Sequence, residues 1–270
     1  MTTFGGRVAV VTGGGSGIGR ALALALAREG ARVIVADVDE ADAAETVRLV
    51  AAAGAEGLAV RTDVADRRQV ESLADRVFDR YGATHLLCNN AGVVVHGALQ
   101  SATWEDWRWV MGVNLWGVVH GLLAFVPRMI AGGEGGHVVN TASMAGLVAS
   151  QGLGVYNTTK YAVVGLSETL AKDLRPHRIG VTVVCPMGVA TRIREAARNR
   201  PAGLRNTPGA PDAHEMTLIG RTLDPDDVAA QTLAAVRAGA LYVITHDEAL
   251  APLRRRFQRL EDAVRRRPQV

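Results

Sequence analysis

Short β-branched runs alternate with longer Ala- and Leu-rich segments along most of this 270-residue chain. Such alternation builds a parallel sheet, because a strand that returns in the same direction needs a crossover, usually a helix. Seven runs read as strands: Arg7 to Thr12, Arg32 to Asp37, Gly57 to Arg61, His85 to Asn89, Gly136 to Thr141, Gly180 to Val184 and Leu241 to Thr245. Most are nearly continuous in apolar residues, as in Val8-Ala9-Val10-Val11. A strand with one wet face would alternate instead, so both faces of this sheet are covered. The helices carry their own punctuation. Gly17 to Glu29 stops at Gly30, Glu40 to Ala53 stops at Gly54, and Pro225 to Ala238 starts after Asp224. Those are the places for a terminating glycine and a capping aspartate. The expected fold is α/β: a doubly wound, seven-stranded parallel sheet in a three-layer α/β/α sandwich.

With 48% hydrophobic and 21% charged residues, a chain of this length buries enough surface to hold one core without disulfide or metal. One domain, residues 1–270, is expected. Cys88 and Cys185 lie far apart in apolar runs, with no CxxC pair and no Cys/His cluster. No metal site is expected, and a reducing cytoplasm is the simplest compartment. No apolar stretch approaches the ~20 residues of a membrane span; the longest candidate, Ala21 to Ala27, is bracketed by Arg20 and Arg28. Met1 to Arg7 lacks the layout of a secretory signal. The formal charge of +3 is a local excess, because residues 249–270 hold seven arginines and two acids. That tail reads as a basic helix or extension, and with Phe257 its only ring, single-strand nucleic acid binding has no stacking series to support it. From Thr191 to Leu223 periodicity fades, which marks residues 190–224 as a substrate lid.

After the first strand comes Thr12-Gly13-Gly14-Gly15-Ser16-Gly17-Ile18-Gly19, then an Ala/Leu helix. A glycine turn at a helix N-terminus lets backbone N–H groups approach a pyrophosphate, the Rossmann-type arrangement. The spacing of Gly13, Gly17 and Gly19 is GxxxGxG, not the commoner GxGxxG. Asp37 ends the second strand, where a carboxylate can accept from both hydroxyls of an adenosine ribose and would repel a 2′-phosphate. Neither Ser16 nor Val38 is basic. NAD is therefore read over NADP, against the alternative that Asp37 is a strand-end or capping residue like Asp39.

Tyr156 and Lys160 stand one helical turn apart. An ammonium near a phenol favours the phenolate and suits it to proton transfer. The chain uses Lys only at positions 160 and 172, so this one runs against its preference for Arg. Ser143 follows the strand Gly136 to Thr141, Asn89-Asn90-Ala91-Gly92 follows the fourth strand, and Asn114 lies in a later helical stretch.

Together with the glycine turn, these residues resemble the ordered motifs of the short-chain dehydrogenase/reductase family, in its branch of ~250-residue single-domain members. The resemblance runs from Gly5 to about His246. It implies that Tyr156 is the general acid/base, that Ser143 holds and polarises the substrate oxygen, and that Lys160 binds the nicotinamide ribose. It implies that Asn114 anchors a water in a proton relay, that Asn89, Asn90, Ala91 and Gly92 support the cofactor edge and central sheet, and that Asp63 and Val64 contact adenine. Ser16 and Ile18 of the turn, with Pro186, Gly188, Val189 and Thr191 after the sixth strand, complete the expected cofactor set. Met187 departs from the glycine common at that place in relatives. A homodimer or homotetramer is also implied.

On that geometry the pocket is lined by Val93, Val94, Val95, Met144, Leu147, Val148, Leu153 and Met187. Such a lining fits a small hydrophobic secondary alcohol or ketone. Two alternatives stay open. One is an NADPH-dependent reductase of a 3-oxoacyl-type substrate, for which Arg192, Arg194, Arg198, Arg200 and Arg205 in the lid, among Ile193, Leu204, Met216, Leu218 and Ile219, offer anion contacts. The other is a non-catalytic dinucleotide-binding redox sensor.

Overall fold

The computed structural model describes residue 1, residues 3–206 and residues 220–266. The elements run in order β1 (Val8–Thr12), α1 (Gly17–Arg28), β2 (Arg32–Asp37), α2 (Glu40–Ala52), β3 (Gly57–Arg61), α3 (Arg67–Tyr81) and β4 (Leu86–Asn89). There follow α4 (Trp104–Met111), α5 (Gly117–Gly132), β5 (Gly136–Thr141), α6 (Gly154–Asp173), β6 (Ile179–Val184), β7 (Gly188–Val189), β8 (Thr222–Leu223), α7 (Pro225–Ala238), β9 (Tyr242–Val243) and α8 (Leu250–Arg265). Seven strands form one sheet in the order β3-β2-β1-β4-β5-β6-β9, every pair parallel. This is the doubly wound α/β architecture expected from the sequence.

The strands are apolar on both faces because each face has its own core. In β1, Ala9 and Val11 join Leu22 and Leu26 of α1 and Val228 and Leu233 of α7. Their neighbours Val8 and Val10 join Leu73 and Val77 of α3 and Phe125 and Met129 of α5. Period-2 alternation thus distributes one strand between two apolar layers. Asp39, Asp66 and Asp224 cap α2, α3 and α7 by accepting from Asp42, Arg68 and Asp226 N–H groups. Of the strand ends, the last is shortened most: β9 keeps two residues, since it pairs only with Val183 and Val184 at the end of β6.

Three features correct or refine the sequence reading. First, α4 and α5 join through a π-helical turn, Gly112–Trp116, into one helix from Trp104 to Gly132. By length and composition alone this helix could cross a membrane, because an 18-residue window within it has a mean hydropathy of 1.6, a stretch the sequence reading passed over. In the fold it is a core helix, burying Val118, Phe125, Val126 and Met129. Second, the segment after β6 is partly ordered: β7 and β8 pair in parallel, and Arg192–Asn199 forms 3₁₀ turns. The expected lid residues Met216, Leu218 and Ile219 lie outside the described residues. Third, the basic terminus forms α8, none of whose side chains is buried.

Candidate active site

The sheet order reverses at β1, from which the chain builds outward through β2 on one side and β4 on the other. Ligands of open α/β sheets bind beyond the strand C-termini at such a point. There a cleft of about 1370 Å³ runs from Asp37 past the glycine turn to Tyr156 and Met187.

The turn is shaped by close packing. Gly13 and Gly17 have φ of +62° and +52°, where a side chain is strained. A Cβ on Gly19 would fall 2.1 Å from the Gly13 carbonyl oxygen. Gly19→Ala is therefore expected to cost about 1–3 kcal/mol, as overpacking does, and to weaken NADH binding by displacing the turn. A thermal melt and an NADH fluorescence titration check this; an unchanged pair of values would show the turn to be tolerant. The turn is tied to β4 through Thr12, whose hydroxyl accepts from the Asn90 and Ala91 N–H groups at 3.0 and 3.2 Å. Asn90 Nδ2 donates back to the Thr12 carbonyl at 3.1 Å, and Thr141 on β5 donates to Asn90 Oδ1 at 3.2 Å. One asparagine thus joins three strand ends.

At one end of the cleft, Asp37 accepts from the Gly15 N–H at 2.8 Å and the Asp39 N–H at 3.0 Å. Burial raises its carboxyl pKa, and these two hydrogen bonds oppose the rise. Asp39 is the α2 cap, so Asp37 is not spent on that task. Arg20 and Arg192, the guanidiniums beside the turn, both reach Asp42, and Arg61 lines the cleft nearby; the sequence reading looked for a base only at Ser16 and Val38. Asp63 and Val64 also line this end. Val64 is held by His120, whose Nδ1–H donates to its carbonyl at 2.9 Å, and by the close approach of Gly117. Neither support had a legible signal, because both arrive from α5, distant in sequence.

At the other end, Tyr156 and Lys160 share a face of α6. Lys160 Nζ lies 5.5 Å from the Tyr156 ring centre and donates to the Thr141 carbonyl at 2.7 Å. Ser143 sits just beyond β5 beside Tyr156, close enough to favour its ionised form; its Oγ accepts from the Ala145 N–H at 3.1 Å and donates to the Pro186 carbonyl at 3.4 Å. Burial pushes the Tyr156 phenol up to about 12, against the smaller lowering effect of Ser143, and pushes Lys160 down to about 8. In this structure burial, not the neighbouring ammonium, governs the phenol. Asn114 lies in the π-helical turn behind the cleft wall. Its Oδ1 accepts from the Val93 N–H at 2.8 Å, and its Nδ2 donates to the Val93 carbonyl at 2.9 Å and to Thr159 at 3.2 Å.

Gly13, Ser16, Gly17, Ile18, Asn90, Ala91, Gly92, Pro186, Gly188, Val189 and Thr191 all reach the cleft, as do Val94, Met144, Leu153 and Met187. Gly19 is packed beneath the turn. Two residues expected in the pocket lie elsewhere: Val95 packs with the Trp109 and Val155 cluster, and Leu147 packs with Val118 and Val163. His246 is buried, bonding Thr245 at 2.7 Å and the Gly188 carbonyl at 3.1 Å, so it props β7 under the cleft.

A doubly wound sheet with a glycine turn at its switch point and a Ser/Tyr/Lys set on the same cleft defines a dinucleotide-dependent oxidoreductase fold. The short chain dehydrogenase family model matches residues 7–202, and the chain belongs to that family. It is similar to the C alpha-dehydrogenase of Sphingobium sp. strain SYK-6, 36% identical over 98% of this chain and 88% of the relative. It is equally similar to the 1-deoxy-11-beta-hydroxypentalenate dehydrogenase of Streptomyces avermitilis, 36% identical over 92% and 88%. A short-chain dehydrogenase/reductase from Burkholderia phymatum, solved in complex with NAD, superposes with a TM-score of 0.90 at 42% identity, covering 100% of this chain and 99% of that one. A metagenomic short-chain oxidoreductase solved with NADP gives 0.73 at 29% identity, covering 89% and 96%.

Proposed function

We propose that this oxidoreductase interconverts a hydrophobic secondary alcohol and its ketone with NAD(H). The observation that carries the reading is the meeting of Ser143 and Tyr156 at an apolar end of the cleft, walled by Val94, Met144, Leu153 and Met187, whose far end presents the Asp37 carboxylate. The chain fits a dinucleotide there. The side-chain-free Gly13 and Gly17 line the place a pyrophosphate needs, and Asp37 is an acceptor for ribose hydroxyls. Asp63 and Val64 would hold adenine, Lys160 the nicotinamide ribose, and Asn90 to Gly92 with Pro186, Gly188, Val189 and Thr191 the remaining cofactor edge. When bound, the nicotinamide supplies the hydride acceptor or donor.

The chain's own residues manage the proton. Ser143 holds the substrate oxygen beside the Tyr156 hydroxyl. In the reductive direction Tyr156 gives its proton to that oxygen, and in the oxidative direction it takes the proton from the alcohol. A phenol held protonated by burial is ready for the reductive step, and the Lys160 ammonium stabilises the phenolate left behind. The Asn114 side chain is already committed to Val93 and Thr159, so a relay water would be held by its main chain, where the π-helical turn shifts the backbone hydrogen bonds. The exposed Trp116 and Leu123 on the long helix support a homo-oligomer, and two buried free cysteines suit a reducing cytoplasm.

The test is cofactor reduction by purified protein, with NAD and NADP side by side, against cyclic, terpenoid, steroid and aromatic secondary alcohols. Turnover with NAD on one class is expected; turnover confined to NADP would remove the cofactor reading. In the same assay Asp37→Ala should weaken NADH more than NADPH, by about tenfold for the loss of a charge-assisted hydrogen bond. An unchanged affinity ratio would show that Asp37 does not meet the ribose.

A further inference from the structure

The cleft carries a charge pattern that the reading above leaves unused. Its described lining includes Arg108, Arg194, Arg198 and Arg255, and besides Asp37 and Asp63 the described lining holds a single carboxylate, Glu248. Glu248 already accepts from the Arg221 N–H at 3.4 Å and lies 3.9 Å from its guanidinium. The arginines come from separate elements: Arg108 from α4, Arg194 and Arg198 from Arg192–Asn199, and Arg255 from α8. Among the described residues, the Arg108 and Arg194 side chains make no hydrogen bond or ion pair, while Arg198 spends one nitrogen on the Arg192 and Glu195 carbonyls at 3.2 Å.

A buried staple brings two of these elements together. Arg200 Nη1 lies 2.8 Å from Asp106 Oδ1, with the two side chains 9% and 10% exposed. Arg200 also donates to Asn206 Oδ1 at 3.0 Å, and Asn206 donates to Asp106 at 3.1 Å. A buried pair of this kind gives little net stability, because desolvation consumes most of the attraction. Its clearest effect is positional: it fixes the arginine-bearing segment onto α4, two residues from Arg108. Like charges gathered on one cleft repel, and an anion among them removes that repulsion. His96, half-buried on the same wall, has its proton affinity lowered by burial and by Arg194, so it can serve as a neutral donor.

We infer that the substrate carries a carboxylate, bound by Arg108, Arg194 and Arg198 with His96 while its alcohol or keto group lies at Ser143 and Tyr156. This rests on the oxidoreductase reading above. The apolar walls between the two ends suit the hydrocarbon body of a hydroxy or keto acid.

The experiment pairs hydroxy fatty acids and hydroxy terpenoid acids with their own methyl esters. It measures kcat/KM with NAD and, independently of turnover, binding to the NADH complex by nicotinamide fluorescence. The acid should be preferred over its ester by about 10–100-fold, the scale of charge-assisted hydrogen bonds. The Arg108→Gln, Arg194→Gln double variant should bring that ratio close to one, while Arg194→Lys should keep most of it. Equal binding of acid and ester by the wild type, or a ratio unaltered in the double variant, overturns the inference. Preferential binding of the acid with no turnover of either compound would instead support the anion site and sink the dehydrogenase reading.

Discussion

Tyr156→Phe is expected to keep NADH binding and to lose at least ~100-fold in turnover, the lower end of what general acid–base catalysis contributes. The substitution removes one oxygen and leaves the ring that packs against Val94, Ala145 and Leu153. The fold and the cofactor end of the cleft should therefore be untouched. The missing oxygen is the proposed proton donor beside Ser143, and among the described residues Tyr156 is the one tyrosine that lines the cleft. Burial holds this phenol protonated, up to about 12, so reductive turnover by the wild type should persist through neutral pH. Near-normal turnover of the variant on any substrate found would reject the proton-transfer role. A loss of NADH affinity in parallel would mean that the ring, not the oxygen, was being read.

Lys160→Met should abolish most turnover and at the same time stabilise the protein below pH 8. The Lys160 side chain is 2% exposed, and burial brings its pKa from the ordinary 10.5 down to about 8. The sign follows from proton counting. Between those values the unfolded chain binds the Lys160 proton and the folded chain does not, so stability rises with pH across that window. Below it the folded protein carries the whole cost of a buried cation, roughly 3 kcal/mol at 1.36 kcal/mol per pKa unit. Its bond to the Thr141 carbonyl at 2.7 Å offsets part of what removal gains, about 1 kcal/mol. Above pH 10 the buried Tyr156 works the other way, because the unfolded phenol ionises first and stability falls. Urea titrations from pH 6 to 10 should show a rise for the wild type that Lys160→Met lacks. Parallel curves for the two proteins would show that Lys160 is not strained by its burial.

The elements most legible in the sequence were those whose signal is local. Val8 to Val11 reads as a two-sided strand whatever lies around it, and Asp39 and Asp224 cap the helices that follow them within three residues. The glycine turn was legible for the same reason, since its backbone conformation at Gly13 and Gly17 excludes most other residues. The Tyr156/Lys160 pair was visible as one helical turn. Their proton affinities were not, because desolvation depends on what the fold places over the side chains. The sequence suggested that Lys160 sets the phenol, whereas burial dominates both groups.

What remained hidden came from residues far apart in the chain. His246 beneath Gly188, His120 on the Val64 carbonyl, and the Arg200–Asp106 pair each join elements whose spacing carries no periodic signal. Along the chain the lid arginines were candidate anion contacts with no place assigned to them, and the docking of that segment on α4 puts Arg194 and Arg198 on the same cleft as Ser143 and Tyr156. Sequence alone determined the class of fold, the place of the glycine turn and the identity of the candidate proton-transfer residues, since backbone conformation and helical spacing act over a few residues. Tertiary structure alone decided which charges face one another and which are buried, because desolvation and like-charge convergence exist only once distant segments are packed.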